Sequence, residues 1–114
     1  MLEVIKASEE ISLLFSEGKR LHTQFITLIV SDTQECGFKG RVAFIAGKKN
    51  GNAVWRNSAK RRLRAVCREL PAQPVGYDVI FVAKKGILEP PYSKVLQQCN
   101  TALTIYRGEK EQNE

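Results

Sequence analysis

Residues 41–68 read RVAFIAGKKNGNAVWRNSAKRRLRAVCR, and this stretch decides the fold. Its first six residues, 41–46, are mostly apolar, which predicts a strand. The Gly, Asn and Lys residues that follow predict a loop, at the end of which Asn52 is suited to cap a helix. That helix is predicted over residues 53–70, because Pro71 cannot continue it.

The rest of the chain has the patterns of further helices and strands. Ser8 followed by two glutamates is typical of a helix N-terminus, and the runs FITLIV and VIFV are typical of strands buried on both faces. The predicted elements are a helix over residues 8–17, strands over 25–30 and 77–83, a polar turn over 32–40, a last helix over 93–106 and a polar tail, expected to fray, over 108–114. In this order they predict one α+β domain over residues 1–114, a two-layer sandwich with helices on a small mixed sheet.

The composition is that of a globular domain rather than a disordered chain, with 43% hydrophobic and 26% charged residues. No apolar run approaches the roughly 20 residues that cross a bilayer, and the N-terminus lacks an export signal. Cys36, Cys67 and Cys99 lack metal-ligand spacing and are interpreted as free thiols, the last two as core residues of helices. A cytoplasmic protein without membrane contact is expected.

The positive charge is concentrated in one part of the sequence. The formal net charge is +6, but the segment from Lys39 to Arg68 contains ten Lys or Arg residues and no acid. The rest of the chain contains eight basic and twelve acidic residues. A local field of this kind attracts a polyanion, whereas scattered lysines mainly serve solubility.

A helical projection of the basic helix separates two faces. The packing face contains Trp55, Ala59, Leu63, Val66, Cys67 and Leu70. The opposite face, called here the basic face, contains Arg56, Asn57, Lys60, Arg61, Arg64 and Arg68. Like charges four residues apart destabilise a helix by about 0.2–0.5 kcal/mol per pair, so folding alone does not favour this face. Phosphates would neutralise it, since arginine binds their oxygens bidentately. A solvated face without a partner is the alternative.

The loop before the helix adds two cations, Lys48 and Lys49, at a helix N-terminus that already favours anions. Gly47 and Gly51 would allow close approach of the backbone, although an ordinary turn has the same composition. His22 is the only histidine, and the sequence shows no paired carboxylates or metal-binding cluster. No catalytic and no metal-ligating residue is therefore predicted.

Residues 41–68 closely resemble the signature region of the bacterial ribonuclease P protein family. The matching positions are Lys48, Lys49, Gly51, Asn52, Ala53, Val54, Arg56, Asn57, Lys60, Arg61 and Arg64. Ser58 stands where the family has an arginine, and Ile11 where an aromatic residue is common. The basic segment that often precedes the first helix is missing. The resemblance implies a ribosomal-protein-like βαβ unit with a left-handed crossover, against the usual right-handed rule.

The resemblance also implies a division of labour between protein and RNA. The catalytic RNA subunit holds Mg²⁺ and cuts the 5′ leader from precursor tRNA, while the non-catalytic protein subunit binds both RNAs. The basic face is then assigned to the RNA subunit. The leader is expected in a groove between the first helix and the sheet, with Phe15, Phe25 and Phe44 as stacking platforms and Lys48 and Lys49 on phosphates. Phe25 and Phe44 as plain core residues are the alternative.

Two other functions remain open from the sequence. A ribosomal or RNA-assembly protein without a role in cleavage would show the same basic helix. An autonomous nuclease would cleave RNA without an RNA subunit, which the lack of acid-base residues argues against.

Overall fold

The computed structural model describes residues 3–5, 8–32, 40–70 and 77–112 of the chain. In chain order the elements are β1 (Glu3–Val4), α1 (Ser8–Glu17), β2 (Lys19–His22), β3 (Ile26–Asp32), β4 (Arg41–Ala46), α2 (Ala53–Glu69), β5 (Tyr77–Ala83) and α3 (Tyr92–Gln112). A single 3₁₀ turn, Lys48–Asn50, lies between β4 and α2. The α+β class is confirmed, and α1, β4 and β5 have the predicted bounds.

The five strands of the described residues form one mixed sheet in the order β1-β4-β5-β3-β2. β4 is parallel to both β1 and β5, whereas β3 is antiparallel to β5 and to β2. The parallel neighbours β4 and β5 need a crossover connection, and α2 lies within it. The mixed sheet is therefore as predicted, while the left-handed sense of the crossover stays a prediction.

Sequence reasoning did not find the two edge strands, β1 and β2. The sequence of β2 is KRLH, in which only Leu21 is apolar. Charged residues are common on edge strands, and every β2 residue except the half-buried Leu21 is exposed, so neither face of β2 shows the usual apolar alternation. β1 has only two residues, too few for any periodic pattern.

Helices cover the sheet on both faces, because the central strands are apolar on both. Along β4, Val42, Phe44 and Ala46 pack with α2 and α3, while Ala43 and Ile45 pack with α1. The larger core lies under α2 and α3, and the smaller one under α1. The expected two-layer sandwich is corrected to three layers, with α1 alone on the second face.

A three-way contact between Arg41, Asp78 and Glu10 joins α1, β4 and β5. The backbone N–H of Arg41 donates to Asp78 Oδ1 at 2.8 Å, and its Nη2 donates to Oδ2 at 3.1 Å. Arg41 Nη1 also donates to Glu10 Oε2 at 2.9 Å. The hydrogen bond with Asp78 raises the pKa of the Arg41 guanidinium. Arg41 is thus a cation of the basic segment that is neutralised within the protein.

Helix ends differ slightly from the predicted ones. α2 ends at Glu69 rather than residue 70, and α3 continues to Gln112, six residues past its predicted end. Tail residues 109–112 are good helix formers, so Gly108 alone does not end the helix. Part of the predicted polar turn (residues 33–39, with Cys36), the Pro71 segment (71–76) and residues 113–114 lie outside the described residues.

Candidate nucleic-acid interface

The N-terminus of α2 is fixed by two contacts with Trp55. The Asn52 side chain accepts a hydrogen bond from the Trp55 backbone N–H at 2.9 Å, as predicted for a cap. A Cβ atom built on Gly51 would lie 2.7 Å from Trp55 Cγ, so only glycine fits beneath this ring. These contacts hold the preceding turn, in which Lys48 and Lys49 are exposed, beside the start of the helix.

The burial of α2 confirms the predicted orientation of the helix. The packing-face residues Ala59, Leu63, Val66, Cys67 and Leu70 are buried in the larger core, and Trp55 packs against it. On the basic face, Asn57, Arg61, Arg64 and Arg68 are exposed, while Arg56 and Lys60 are half-buried. The helix therefore packs through one side and presents its cations on the other.

Within the described residues, the basic face lacks carboxylates that would neutralise its cations. Within the part of the chain that the structure describes, none of Arg56, Lys60, Arg61, Arg64 and Arg68 forms an ion pair with a carboxylate. At 1.5 Å per residue, the row from Arg56 to Arg68 extends over about 18 Å. The result is a positively charged surface whose length suits several phosphates of a polyanion rather than one small anion.

Two arginines of the basic segment make internal contacts that the helical projection alone did not reveal. The guanidinium carbon of Arg64 lies 5.8 Å from the centroid of the Phe44 ring, within the range of a cation–π contact. Arg62 Nη1 donates to the backbone carbonyls of Ile87 at 2.9 Å and Pro90 at 2.7 Å. Sequence reasoning missed Arg62, whose angle of about 240° from Arg56 placed it outside both faces.

The three candidate stacking residues do not line one groove, so that prediction is wrong. Phe15 packs on the α1 face of the sheet, with the Arg20 guanidinium 5.8 Å from its ring centroid. Phe25 and Phe44 pack with the larger core on the opposite face. Strand alternation gives the reason for Phe44, because it shares a face with its second neighbours, which lie under α2 and α3.

The two candidates on the α2 and α3 side are also separate from each other in their contacts. The Phe44 ring lies 5.5 Å from that of Phe81, which is fully buried. The Phe25 ring has Lys94 Nζ at 5.9 Å from its centroid. Each ring therefore has a cation nearby, and Phe44 in addition packs against a fully buried ring.

Among the described residues, the remaining candidate groups are the thiols of Cys67 and Cys99 and the imidazole of His22. Burial raises the pKa of the Cys67 thiol to about 11 and that of Cys99 to about 12, so neither is an activated nucleophile. His22 Nδ1 lies 3.5 Å from Thr27 Oγ1 on the exposed edge. Among the described residues, no three His, Cys, Asp or Glu side chains are grouped to hold a metal ion. None of the described helices has the length and hydrophobicity to cross a membrane.

Comparison with known proteins identifies a family whose model matches most of this chain. The model of the family described as Ribonuclease P matches residues 2–107. The Ribonuclease P protein component of Citrifermentans bemidjiense is 44% identical over 75 residues, which cover 65% of this chain and 63% of the relative. The protein component of Syntrophomonas wolfei is 40% identical over 84 residues, which cover 73% of this chain and 69% of the relative. The alignment thus spans less than two thirds of the first relative's length.

A solved structure shares the fold. It is that of a Staphylococcus aureus RNase P protein mutant with defective mRNA degradation activity, and it is similar with a TM-score of 0.77. The alignment covers 91% of this chain and 87% of that one at 20% sequence identity. At this identity the similarity supports the α+β architecture and nothing finer.

Proposed function

This chain belongs to the Ribonuclease P family, and on that premise we propose that it is the RNA-binding protein subunit of ribonuclease P. In this role it assists a catalytic RNA in removing the 5′ leader of precursor tRNA. The observation that carries the proposal is the basic face of α2, whose cations have no carboxylate partner among the described residues. The packing face of the same helix is buried, so the cations are held in place on a fixed surface.

The basic face contacts the RNA subunit in this proposal. Arginine forks bind phosphate oxygens in pairs, and Asn57 can hydrogen-bond a base edge, ribose or phosphate. Lys48 and Lys49 extend the same field from the turn at the helix N-terminus, where free backbone N–H groups add partial positive charge. Ser58, which replaces an arginine of the family pattern, is half-buried beside this face and contributes no charge.

The 5′ leader requires a separate surface. Phe15 remains the stacking candidate on the α1 face, where Arg20 adds a cation beside the ring. Phe25 is a second candidate, on the opposite side of the sheet next to Lys94. Phe44, packed against Phe81 and Arg64, supports the basic face instead of binding leader bases. Stacking on such rings contributes about 1–3 kcal/mol per base and suits leaders of any sequence.

The chemistry of cleavage belongs to the RNA subunit, which we expect to hold the Mg²⁺ ions in the cytoplasm. The protein contributes positive charge that reduces repulsion between the catalytic RNA and its substrate. This contribution is largest at low Mg²⁺, because few other cations then screen the phosphates.

Reconstitution with a bacterial ribonuclease P RNA tests the proposal. At low Mg²⁺ the protein should accelerate cleavage of a precursor tRNA at its 5′ end, and Arg56→Ala should reduce that acceleration. Lys19→Ala is the matched control, since it removes one exposed cation on the far edge of the sheet. Binding without acceleration would instead identify an RNA-assembly protein. Cleavage by the protein without the RNA subunit would identify a nuclease.

A further inference from the structure

Arg62 lies in the middle of the basic segment but is directed away from the basic face. Its Nη1 atom bridges two backbone carbonyls, at 2.9 Å to Ile87 and 2.7 Å to Pro90. The guanidinium carbon also lies 5.9 Å from the centroid of the Tyr92 ring. The charge of Arg62 is therefore used inside the protein, where a phosphate would have to compete with three existing contacts.

The partner of Arg62 is the connection between β5 and α3, residues 84–91, called here the α3 loop. The loop is ordered by its own hydrogen bonds, from the Ile87 N–H to the Lys84 carbonyl and from the Glu89 N–H to the Gly86 carbonyl, both 3.1 Å. Ile87 is fully buried and anchors the loop in the larger core. Arg62 is thus attached to a fixed part of the protein.

The position of Arg62 on α2 determines what this attachment does. The packing face binds the helix to the sheet. At about 100° per residue, Arg62 lies just beyond that face, on the side of the helix opposite the basic face. Apolar packing is non-directional and allows a helix to roll slightly about its axis. The two hydrogen bonds of Arg62 oppose such a roll, because rotation of α2 would move Nη1 away from the two carbonyl oxygens.

We propose that Arg62 is a positioning residue, which sets the angle at which α2 presents the basic face to RNA and does not itself contact RNA. This inference rests on the proposed function, since it needs the basic face to be the RNA-binding surface. The positive charge of the segment alone would suggest that Arg62 is one more phosphate ligand. The contacts of its side chain indicate a positioning role instead.

Arginine suits this role better than lysine. The extended guanidinium donates from one nitrogen to two carbonyls while its central carbon stays within cation–π range of the Tyr92 ring. A lysine in its place would keep the charge, but its single ammonium group would have to reach both carbonyls and the Tyr92 ring at once. Comparing arginine with lysine at position 62 therefore separates an effect of helix positioning from an effect of charge.

The test measures the affinity of each variant for the RNA subunit as a function of monovalent salt, at fixed Mg²⁺ and well below its melting temperature. Arg62→Lys should raise Kd about fivefold, equivalent to about 1 kcal/mol at 1.4 kcal/mol per factor of ten, without changing the slope of log Kd against log salt. Tyr92→Leu should act in the same direction. Burial, with nearby Glu69, raises the pKa of Tyr92 to about 12, so this substitution removes no charge at neutral pH.

Arg56→Ala serves as the reference for a phosphate contact and should lower the slope by about one unit. If Arg62→Met lowers the slope by the same amount while Arg62→Lys binds normally, Arg62 contacts phosphate and the inference is overturned. If the folded Lys and Leu variants bind as the wild type does, the contact is merely structural and the inference is again overturned. If Arg56→Ala changes neither affinity nor slope, the proposed function fails instead.

Discussion

Removal of two neighbouring cations from the basic face should change how binding depends on salt. Arg56 and Lys60 are one helical turn apart, half-buried, and without an ion pair in the described part of the chain. If each contacts one phosphate, the variant Arg56→Ala/Lys60→Ala releases two fewer counterions on binding, and the salt slope falls by about 1.5. From about 50 to about 200 mM salt, a fourfold range, this difference in slope changes the ratio of variant Kd to wild-type Kd about eightfold.

The assay is a titration of the RNA subunit with each protein at several salt concentrations. The affinity defect of the double variant should be about eight times larger at the low end of that range than at the high end. Lys19→Ala should follow the wild-type line, and near-wild-type thermal unfolding of both variants would show that the fold is intact. A defect that stays constant across salt would refute phosphate contacts by Arg56 and Lys60.

Three further predictions concern the support of the interface. Leu63→Ala should destabilise the protein by about 2–5 kcal/mol, because Leu63 is fully buried in the larger core, and an unchanged melting temperature would contradict the assigned packing face. Gly51→Ala should displace the Trp55 ring and shift the tryptophan fluorescence, because the new Cβ would lie 2.7 Å from Trp55 Cγ. A fluorescence spectrum identical to that of the wild type would contradict this close contact. Stability should fall as pH rises above about 9, by up to about 1.4 kcal/mol per pH unit for each buried thiol, because unfolding lets Cys67 and Cys99 ionise at their ordinary pKa. A Cys67→Ala/Cys99→Ala variant should lose less stability between pH 8 and pH 10, and a fall as steep as that of the wild type would count against this reasoning.

The parts of the fold that could be predicted from the sequence are those with a strong periodic pattern. The helix with the basic face combines a capping Asn52 with apolar residues at helical spacing, and its two faces were placed correctly. The strand Tyr77–Ala83 has an unbroken apolar centre and was also found with its exact bounds. In these segments local propensity and burial favour the same structure.

The parts that could not be predicted depend on tertiary position. The edge strand Lys19–His22 exists because β3 pairs with it, and nothing in its composition indicates a strand. The stacking candidates were placed together because the family resemblance implies a groove between the first helix and the sheet, and the sequence does not show which face of the sheet each ring packs on. The face of the sheet toward which the Phe44 side chain points is set by the register of β4, in which Phe44 is paired with the buried Phe81 of β5. The internal role of Arg62 depends on a loop more than twenty residues away, which no local pattern reveals.

The charged edge strand β2 also affects how copies of the protein behave toward one another. An uncovered strand edge can template pairing with a second chain, and this leads to aggregation. Lys19 and Arg20 are exposed on this strand, so a second copy approaching edge to edge would meet like charges. The residues that make the strand hard to recognise in the sequence therefore also disfavour edge-to-edge pairing between two copies of the protein.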